Sequence, residues 1–552
     1  MRTIILIPTS RFVDAEMQLD VGRIPPALIP VRARPLYRSI IDQYQSLPGT
    51  IEFALSVCEG KDLLQASVDS AHLKNVSLLE IPRLPDLGAA VLNTLEQMDL
   101  TTCDNLFLNF GDTIIDAALD LTTDTIFFED ISESFRWTTF EYAAGKITNI
   151  TDKGIIDDSK PRHVFTGVFL IKKPLEFLEH LRTEKPCEGL GLFYSALMNY
   201  LSVREYRLQR VKEWHDFGHV DNYYHERKKS LNKRFFNQVS IDTHRPMLTK
   251  KSEQTEKFIG EIAWYLEIPT ALKPYVPQVF DYSLDKQNPF LKMEFYGYPT
   301  VGELLLSGGH NLGIWNHVFD AIFATIREMQ SHHSTPPAGS LPAALKEMYV
   351  AKTIRRMEQV RQHPILSRFF KRDVVINKRH YPCLNEIIAD LQSHWQSLVP
   401  SRQTLSVIHG DLCASNILFD PRSRIIKLID PRGQFGDFTI YGDYRYDLAK
   451  LSHSFNGHYE MIINDSFFAV CEENSISYSI STSAYQDCVA SMFNQRMSSL
   501  YPQDQETVRM LESILFLSML PLHSDHLNRQ IVMLATGLQK YTMASQGFEA
   551  RT

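Results

Sequence analysis

Cysteine is scarce in this chain: seven residues in 552, at positions 58, 103, 187, 383, 413, 471 and 488, with no C-x-x-C pair. An odd, unpaired set fits reduced thiols and excludes both a disulfide frame and a cysteine zinc site. No apolar run approaches the ~20 residues that span a bilayer. The opening MRTIILIP is interrupted by Pro8 too soon for a secretion signal. Together these shortages predict a cytoplasmic protein with no membrane span. Positive charge is not in excess either. The formal net charge is −8, so no nucleic-acid footprint is expected, and the basic run HERKKSLNKR at 225–234 reads as a solvated linker face. Repeats and low-complexity tracts are absent. What remains is globular: 44% hydrophobic with 22% charged residues rules out a disordered chain. At this length a single core is not expected, and two or three domains are.

The first part of the chain alternates strand-like and helix-like text. TIILI (3–7), IEFALSV (51–57), VSLLEIP and NLFLNFGD read as buried strands, with helices between them. One of these helices opens at Gly88, a candidate nucleotide contact. This βα rhythm predicts an α/β domain with a mostly parallel sheet and ligands at the strands' carboxyl ends. Asp112, in LNFGDT, sits at such an end, and Asp216 follows far downstream in EWHDFGHVDNYY. A carboxylate so placed holds a divalent metal on a nucleotide's phosphates, or caps the next turn. FTGVFLI (165–171) reads as a further strand.

In the second part, VIHGDLCASNILFD (407–420) followed by IIKLID offers Asp411, Asn416 and Asp430 at the ends of short apolar strands. Phosphoryl transfer from Mg-ATP needs this set: one Asp to accept the hydroxyl proton, an Asn and another Asp to hold the metal. An ordinary hairpin turn capped by Asp411 is the alternative, and the further acidic cluster GDYRYDLAK weighs against it. Residues 312–400, and those from 452 onward, read as helical.

The motifs HGDLCASN, IDPRGQFGD and YRYDLAKL resemble the aminoglycoside phosphotransferase and choline kinase family. The resemblance covers about 236–552 and implies a bilobal protein-kinase-like (α+β) phosphotransferase domain, with the N-lobe to about 300 and the C-lobe beyond. It implies Asp411 as catalytic base, Asn416 and Asp430 as Mg²⁺ ligands, and His409 and Asp447 as supports of the catalytic loop. It further implies an ATP lysine, Lys250 with Lys251 close behind, paired with Glu261 on the next helix. Backbone groups around Glu294 and Phe295 would receive the adenine. A choline-type acceptor would want an aromatic cage, for which Tyr441, Tyr444, Tyr446 and Trp395 are available.

IPPALIPVRARPLY (24–37) and WHDFG resemble motifs of the sugar-phosphate and alcohol-phosphate nucleotidyltransferases, whose fold is GT-A/Rossmann-like. This implies Mg²⁺ on Asp112 and Asp216, and CTP or another NTP as substrate. Two departures stand out. The loop PTSRFVD has no glycine, and Pro26 stands where the family has a lysine, leaving Arg11, Arg23 or Arg34 to supply its charge. The expectation is two domains, 1–235 and 236–552, acting in sequence. The kinase half phosphorylates a small alcohol, amino alcohol or sugar. The N-terminal half activates the phosphate as a nucleoside diphosphate derivative for capsule or other surface polysaccharide. A kinase with a degenerate N-terminal binding domain, and a non-catalytic assembly protein, are the alternatives. No pattern names the acceptor, the nucleotide base or an oligomeric state.

Overall fold

Ile4, Ile5, Leu6 and Ile7 of strand β1 (Arg2–Pro8) are fully buried, as a parallel strand covered on both faces must be. The computed structural model describes residues 1–31, 34–71, 73–131, 136–153, 162–185, 190–231, 237–242, 245–400 and 404–549. They form two compact units, 1–227 and 228–552. The expected boundary at 235/236 falls in 232–236, outside the described residues.

In the first unit β1 pairs in parallel with β2 (Thr50–Val57) and β4 (Asn105–Asn109), and β2 with β3 (Val76–Glu80). Strand β9 (Arg162–Ile171) runs antiparallel to β4. It extends the sheet through β6 (Asp124–Ile131), β7 (Thr138–Ala143), β8 (Lys146–Asp152) and β10 (Tyr206–Arg210). Helices α1 (Leu36–Tyr44) and α2 (Lys61–Ser70) bury Tyr37, Ile40, Tyr44 and Leu64 on one face. On the other, α3 (Leu87–Glu96), α4 (Pro174–Thr183) and α5 (Leu192–Ser202) bury Val91, Phe177 and Phe193. This is a three-layer α/β fold. A small ribbon, β5 (Thr113–Asp116) with β11 (Glu213–Asp216), pairs Thr113 with Asp216 and closes the carboxyl edge.

The second unit opens with an antiparallel sheet of order β12–β13–β15–β14: Asn237–Ile241, Met247–Ser252, Phe290–Glu294 and Val279–Ser283. Helix α7 (Thr255–Glu267) joins β13 to β14. A mainly helical lobe follows, with α10 (Lys352–Gln359), α11 (Tyr444–Phe455), α12 (Gln505–Met519) and α13 (Leu527–Glu549). Short strands β16 (Leu405–Val407), β17 (Ile417–Phe419) and β18 (Ile426–Leu428) frame the loop that carries Asp411.

Two helical readings are corrected here. Val374–Ile376 and Arg379–Tyr381 form a hairpin inside 312–400. Phe467–Glu472 and Ser475–Ile480 form another beyond 452, and the two hairpins join in one four-stranded sheet. Alternating burial along FFAVCE is the period-2 signal that marks a half-buried strand. No described helix is long and apolar enough to cross a membrane.

Candidate active sites

The Asp411 loop is held from beneath by Asp447, which is buried on α11. Its two carboxylate oxygens accept the backbone N–H groups of His409 (2.7 Å) and Gly410 (2.8 Å). Gly410 has φ 77° and lies against Arg432, where a Cβ would come within 2.8 Å of the arginine's own; only glycine suits both conditions. His409 is held neutral, lowered by burial to about 4. Its Nε2 contacts the Ile429 carbonyl at 3.0 Å, tying the loop to the segment that delivers Asp430.

Asp411 itself is about two-fifths exposed, at 41%. Burial would raise its pKa, but Lys450, His409 and Arg432 hold it down at about 2. Lys450 lies 2.8 Å from Asp411 Oδ1 and was not among the expected residues. It stands three residues after Asp447 on α11, a spacing that puts both on one helical face, and this was the signal that could have found it. The Asn416 amide nitrogen donates to the Asp411 carbonyl (2.8 Å) and to Oδ2 (3.2 Å). Asn416 therefore presents its oxygen, the donor type Mg²⁺ takes. Asp430 adopts φ 57°, a left-handed conformation uncommon for a non-glycine residue and frequent at functional sites.

Lys250 on β13 is buried and pairs with Glu261 (2.7 Å) and with Asp430 (2.8 Å). Burial acts to lower its pKa, but the two carboxylates outweigh this and raise it. Its neighbour Lys251 is exposed on the other face of the strand, near Asn288. The pleat sends alternate side chains to opposite faces, so the cleft receives Lys250. Of the backbone groups expected to receive the adenine, two N–H groups have partners of their own. The N–H groups of Glu294 and Phe295 donate to the carbonyls of Gln278 (2.8 Å) and Pro246 (2.7 Å).

In the first unit the β5–β11 ribbon brings Asp112 and Asp216 together. A Cβ on Gly218 would meet Asp112 Oδ2 at 2.4 Å and Asp216 Oδ1 at 3.3 Å. This cradle of two facing carboxylates, open at a glycine, fits a divalent cation. Burial, then Asp216, raises the Asp112 carboxyl to about 6. Asp216 Oδ2 accepts from Trp137 Nε1 (3.0 Å) and Asn222 (2.8 Å), and His219 Nδ1 lies 2.7 Å away. Of the three candidate arginines, Arg34 pairs with Asp42. Arg11 donates to the carbonyls of Leu84 and Pro85, and Arg23 stacks on Phe12. The glycine-free loop turns its donors inward: the N–H groups of Thr9, Phe12 and Val13 bond Ser56 O, Glu59 Oε2 and Ile24 O. Gly88 lies in the first turn of α3 against the Phe193 backbone, where a Cβ would approach to 2.3 Å; helix packing accounts for the glycine.

Asp112→Asn is expected to stabilise the first unit at pH 8. A carboxyl raised to about 6 contributes stability below its ordinary value near 4, and that contribution is lost as pH rises through 6. Removing the charge recovers on the order of 3 kcal/mol at pH 8 and roughly half that at pH 5. Thermal melts at both pH values, with and without Mg²⁺, check this. Stabilisation by Mg²⁺ should disappear in the variant, and a lower midpoint at pH 8 would refute the carboxylate-pair account.

Residues 238–468 match the model of the phosphotransferase enzyme family (APH). No curated protein matches the chain. Among solved structures, a putative glucose-1-phosphate thymidylyltransferase from Bacillus anthracis is 15% identical, covering 43% of this chain and 98% of its own, with a TM-score of 0.34. The inositol-1-phosphate CTP transferase from T. maritima is 14% identical, with coverages of 42% and 95% and a TM-score of 0.32. The GDP complex of an aminoglycoside 2′-phosphotransferase-IIIa mutant is 14% identical, with coverages of 58% and 92% and a TM-score of 0.35.

Proposed function

We propose that the chain is a fused small-molecule kinase and nucleotidyltransferase. The observation that carries the kinase half is the meeting of Lys250, Glu261 and Asp430, residues up to 180 positions apart, beside a loop that already presents Asp411 and the Asn416 oxygen. In this reading Asn416 and Asp430 would hold Mg²⁺, which would supply neutralising charge to the phosphates, and Lys250 steadies the nucleotide's phosphates. The acceptor oxygen bonds to the γ-phosphorus as the β–γ bridge breaks and ADP leaves, and the hydroxyl proton passes to Asp411. Asp112 and Asp216 would hold the cation for nucleotidyl transfer, in which a phosphomonoester oxygen bonds to the α-phosphorus of a nucleoside triphosphate as the α–β bridge breaks and pyrophosphate leaves. Activation of a surface-polysaccharide precursor is the role this sequence of reactions fits.

The inward-turned loop after β1 and Pro26 favour a second reading, in which the N-terminal unit only binds a nucleotide or sugar. Phosphorus NMR of the full chain with ATP, CTP, Mg²⁺ and a pool of alcohols, amino alcohols, sugars and their acids separates the two. A phosphomonoester that converts to a pyrophosphate diester supports the fusion of activities. A phosphomonoester that persists with CTP, GTP, UTP and dTTP alike supports the binding unit.

A further inference from the structure

Cations crowd one flank of Asp411, and most of them have no carboxylate within ion-pair distance among the described residues. A π-helical turn, Lys346–Ala351, runs straight into α10, and Lys352 at its start is only 9% exposed. Its ammonium donates to Tyr446 Oη at 3.2 Å, and Arg432 Nη1 donates to the same oxygen at 3.2 Å. Arg356, one turn further along α10, is half-buried and donates to the Ser518 carbonyl. Lys257 and Arg356 both lie near enough to feel Arg432 and Asp411. With Lys450 this makes five cations. Among the described residues only Lys450 has a carboxylate within ion-pair distance, and that carboxylate is Asp411.

Elsewhere in the unit Lys250 meets Glu261, Arg445 meets Asp443 (2.6 Å) and the partly buried Lys540 meets Glu512 (2.7 Å), while buried Lys427 is met by the Pro274 and Val276 carbonyls. An unmatched buried cation is costly, and its neighbours register the cost. Burial and the nearby arginines lower Lys352 to about 8. Burial would raise Tyr446, yet Lys352, Arg432 and Lys450 bring it down to about 7. Lys352 lies over Tyr446 at 5.4 Å and Lys346 over Trp395 at 5.4 Å, so two of the four candidate cage rings already carry a cation.

We infer that Lys352, Arg356 and Arg432 form an anion subsite for the acceptor, so that the hydroxyl compound phosphorylated at Asp411 carries a carboxylate or phosphate of its own. The inference rests on the kinase reading and narrows it: an amino alcohol is excluded as acceptor and an acidic polyol or sugar is selected. The side chains come from α10 and the segment after Asp430, apart from the Lys250–Glu261 pair that serves the nucleotide.

The test uses the full chain with labelled ATP, Mg²⁺ and matched acceptors at constant ionic strength: glycerol, D-glycerate, glycerol 3-phosphate and 3-amino-1,2-propanediol, then glucose, glucuronate, glucose 6-phosphate and glucosamine. An anionic member is expected to exceed its neutral and cationic counterparts by about tenfold or more in kcat/KM, and the carboxylate and phosphate arms tell the two anions apart. Arg356→Gln and Lys352→Met should raise KM for that acceptor about tenfold or more, with kcat little changed. Equal use of neutral or cationic counterparts overturns the inference. So does an Arg356→Gln effect on kcat shared by all acceptors, which assigns the cluster to the transferring phosphoryl group. Calorimetric titration with sulfate, in the presence of Mg²⁺ and a non-hydrolysable ATP analogue, covers the case where no acceptor reacts. Binding weakened about tenfold by Arg356→Gln supports the subsite, and no binding overturns it. Failure of the kinase reading has its own signature: no Mg-ATP binding, or basal ATP hydrolysis unaltered by Asp411→Asn.

Discussion

Asp411→Asn is expected to lower kcat for phosphoryl transfer by about 10²- to 10⁴-fold, the range that removal of a positioned proton acceptor produces. KM for ATP should change little, because Lys250, Glu261 and Asp430 are untouched. The carboxylate is held at about 2 by Lys450, His409 and Arg432 against the effect of burial, so it is a weak base. That suits a loose transition state, in which the hydroxyl needs orientation more than early deprotonation. It also sets the pH profile: Asp411 stays ionised from pH 5 to 8, so no acid limb from this group falls in that window. An acid limb with a midpoint in that window, present in the parent and lost in Asp411→Asn, would contradict this account. The substitution leaves Lys450, only 9% exposed, without its carboxylate, so the thermal midpoint should fall as well, and kcat is compared below that midpoint. Steady-state kinetics and a melt on the same preparation check both statements.

Lys250→Met is expected to damage stability and activity together. It leaves Glu261, on a helix packed beneath the sheet, as a buried carboxylate without its cation. Breaking a buried pair by removing one partner costs about 3–5 kcal/mol. The Asp430 arm counts for less because that carboxylate is 38% exposed. A fall in the second unit's midpoint of about 5 °C or more should follow, with a large rise in KM for ATP. The double variant Lys250→Met/Glu261→Met separates the two effects, since an apolar pair of similar volume can replace a buried ion pair without loss of stability. Recovery of the midpoint without recovery of activity is the expected result. Recovery of both would remove Lys250 from nucleotide binding.

The Asp411 loop was legible because its spacing is local. Asp411 and Asn416 are five residues apart and meet within one loop, where the Asn416 amide donates to Asp411, and Asp430 follows the hairpin that leaves it. The strand alternation of the first unit was legible for the same reason: each buried strand is a contiguous apolar run. The hairpins at 374–381 and 467–480 were not, because short apolar runs amid helical text suit either period and only the sheet they form together selects one. Choosing Lys250 over Lys251 needed the pleat, and the pleat needed the partner strand. Asp112 and Asp216, 104 positions apart, converge because β5 and β11 pair residue for residue.

By itself the sequence determined the two-part organisation, the α/β character of the first part and the Asp411–Asn416–Asp430 set, all of which follow from short-range periodicity and spacing. Tertiary structure alone decided the electrostatics. Whether a buried lysine meets a carboxylate, as Lys250 does, or other cations, as Lys352 does, depends on elements brought together across long stretches of chain. Charge interactions in a low-dielectric interior are set by distance in space, and no spacing along the sequence encodes that distance.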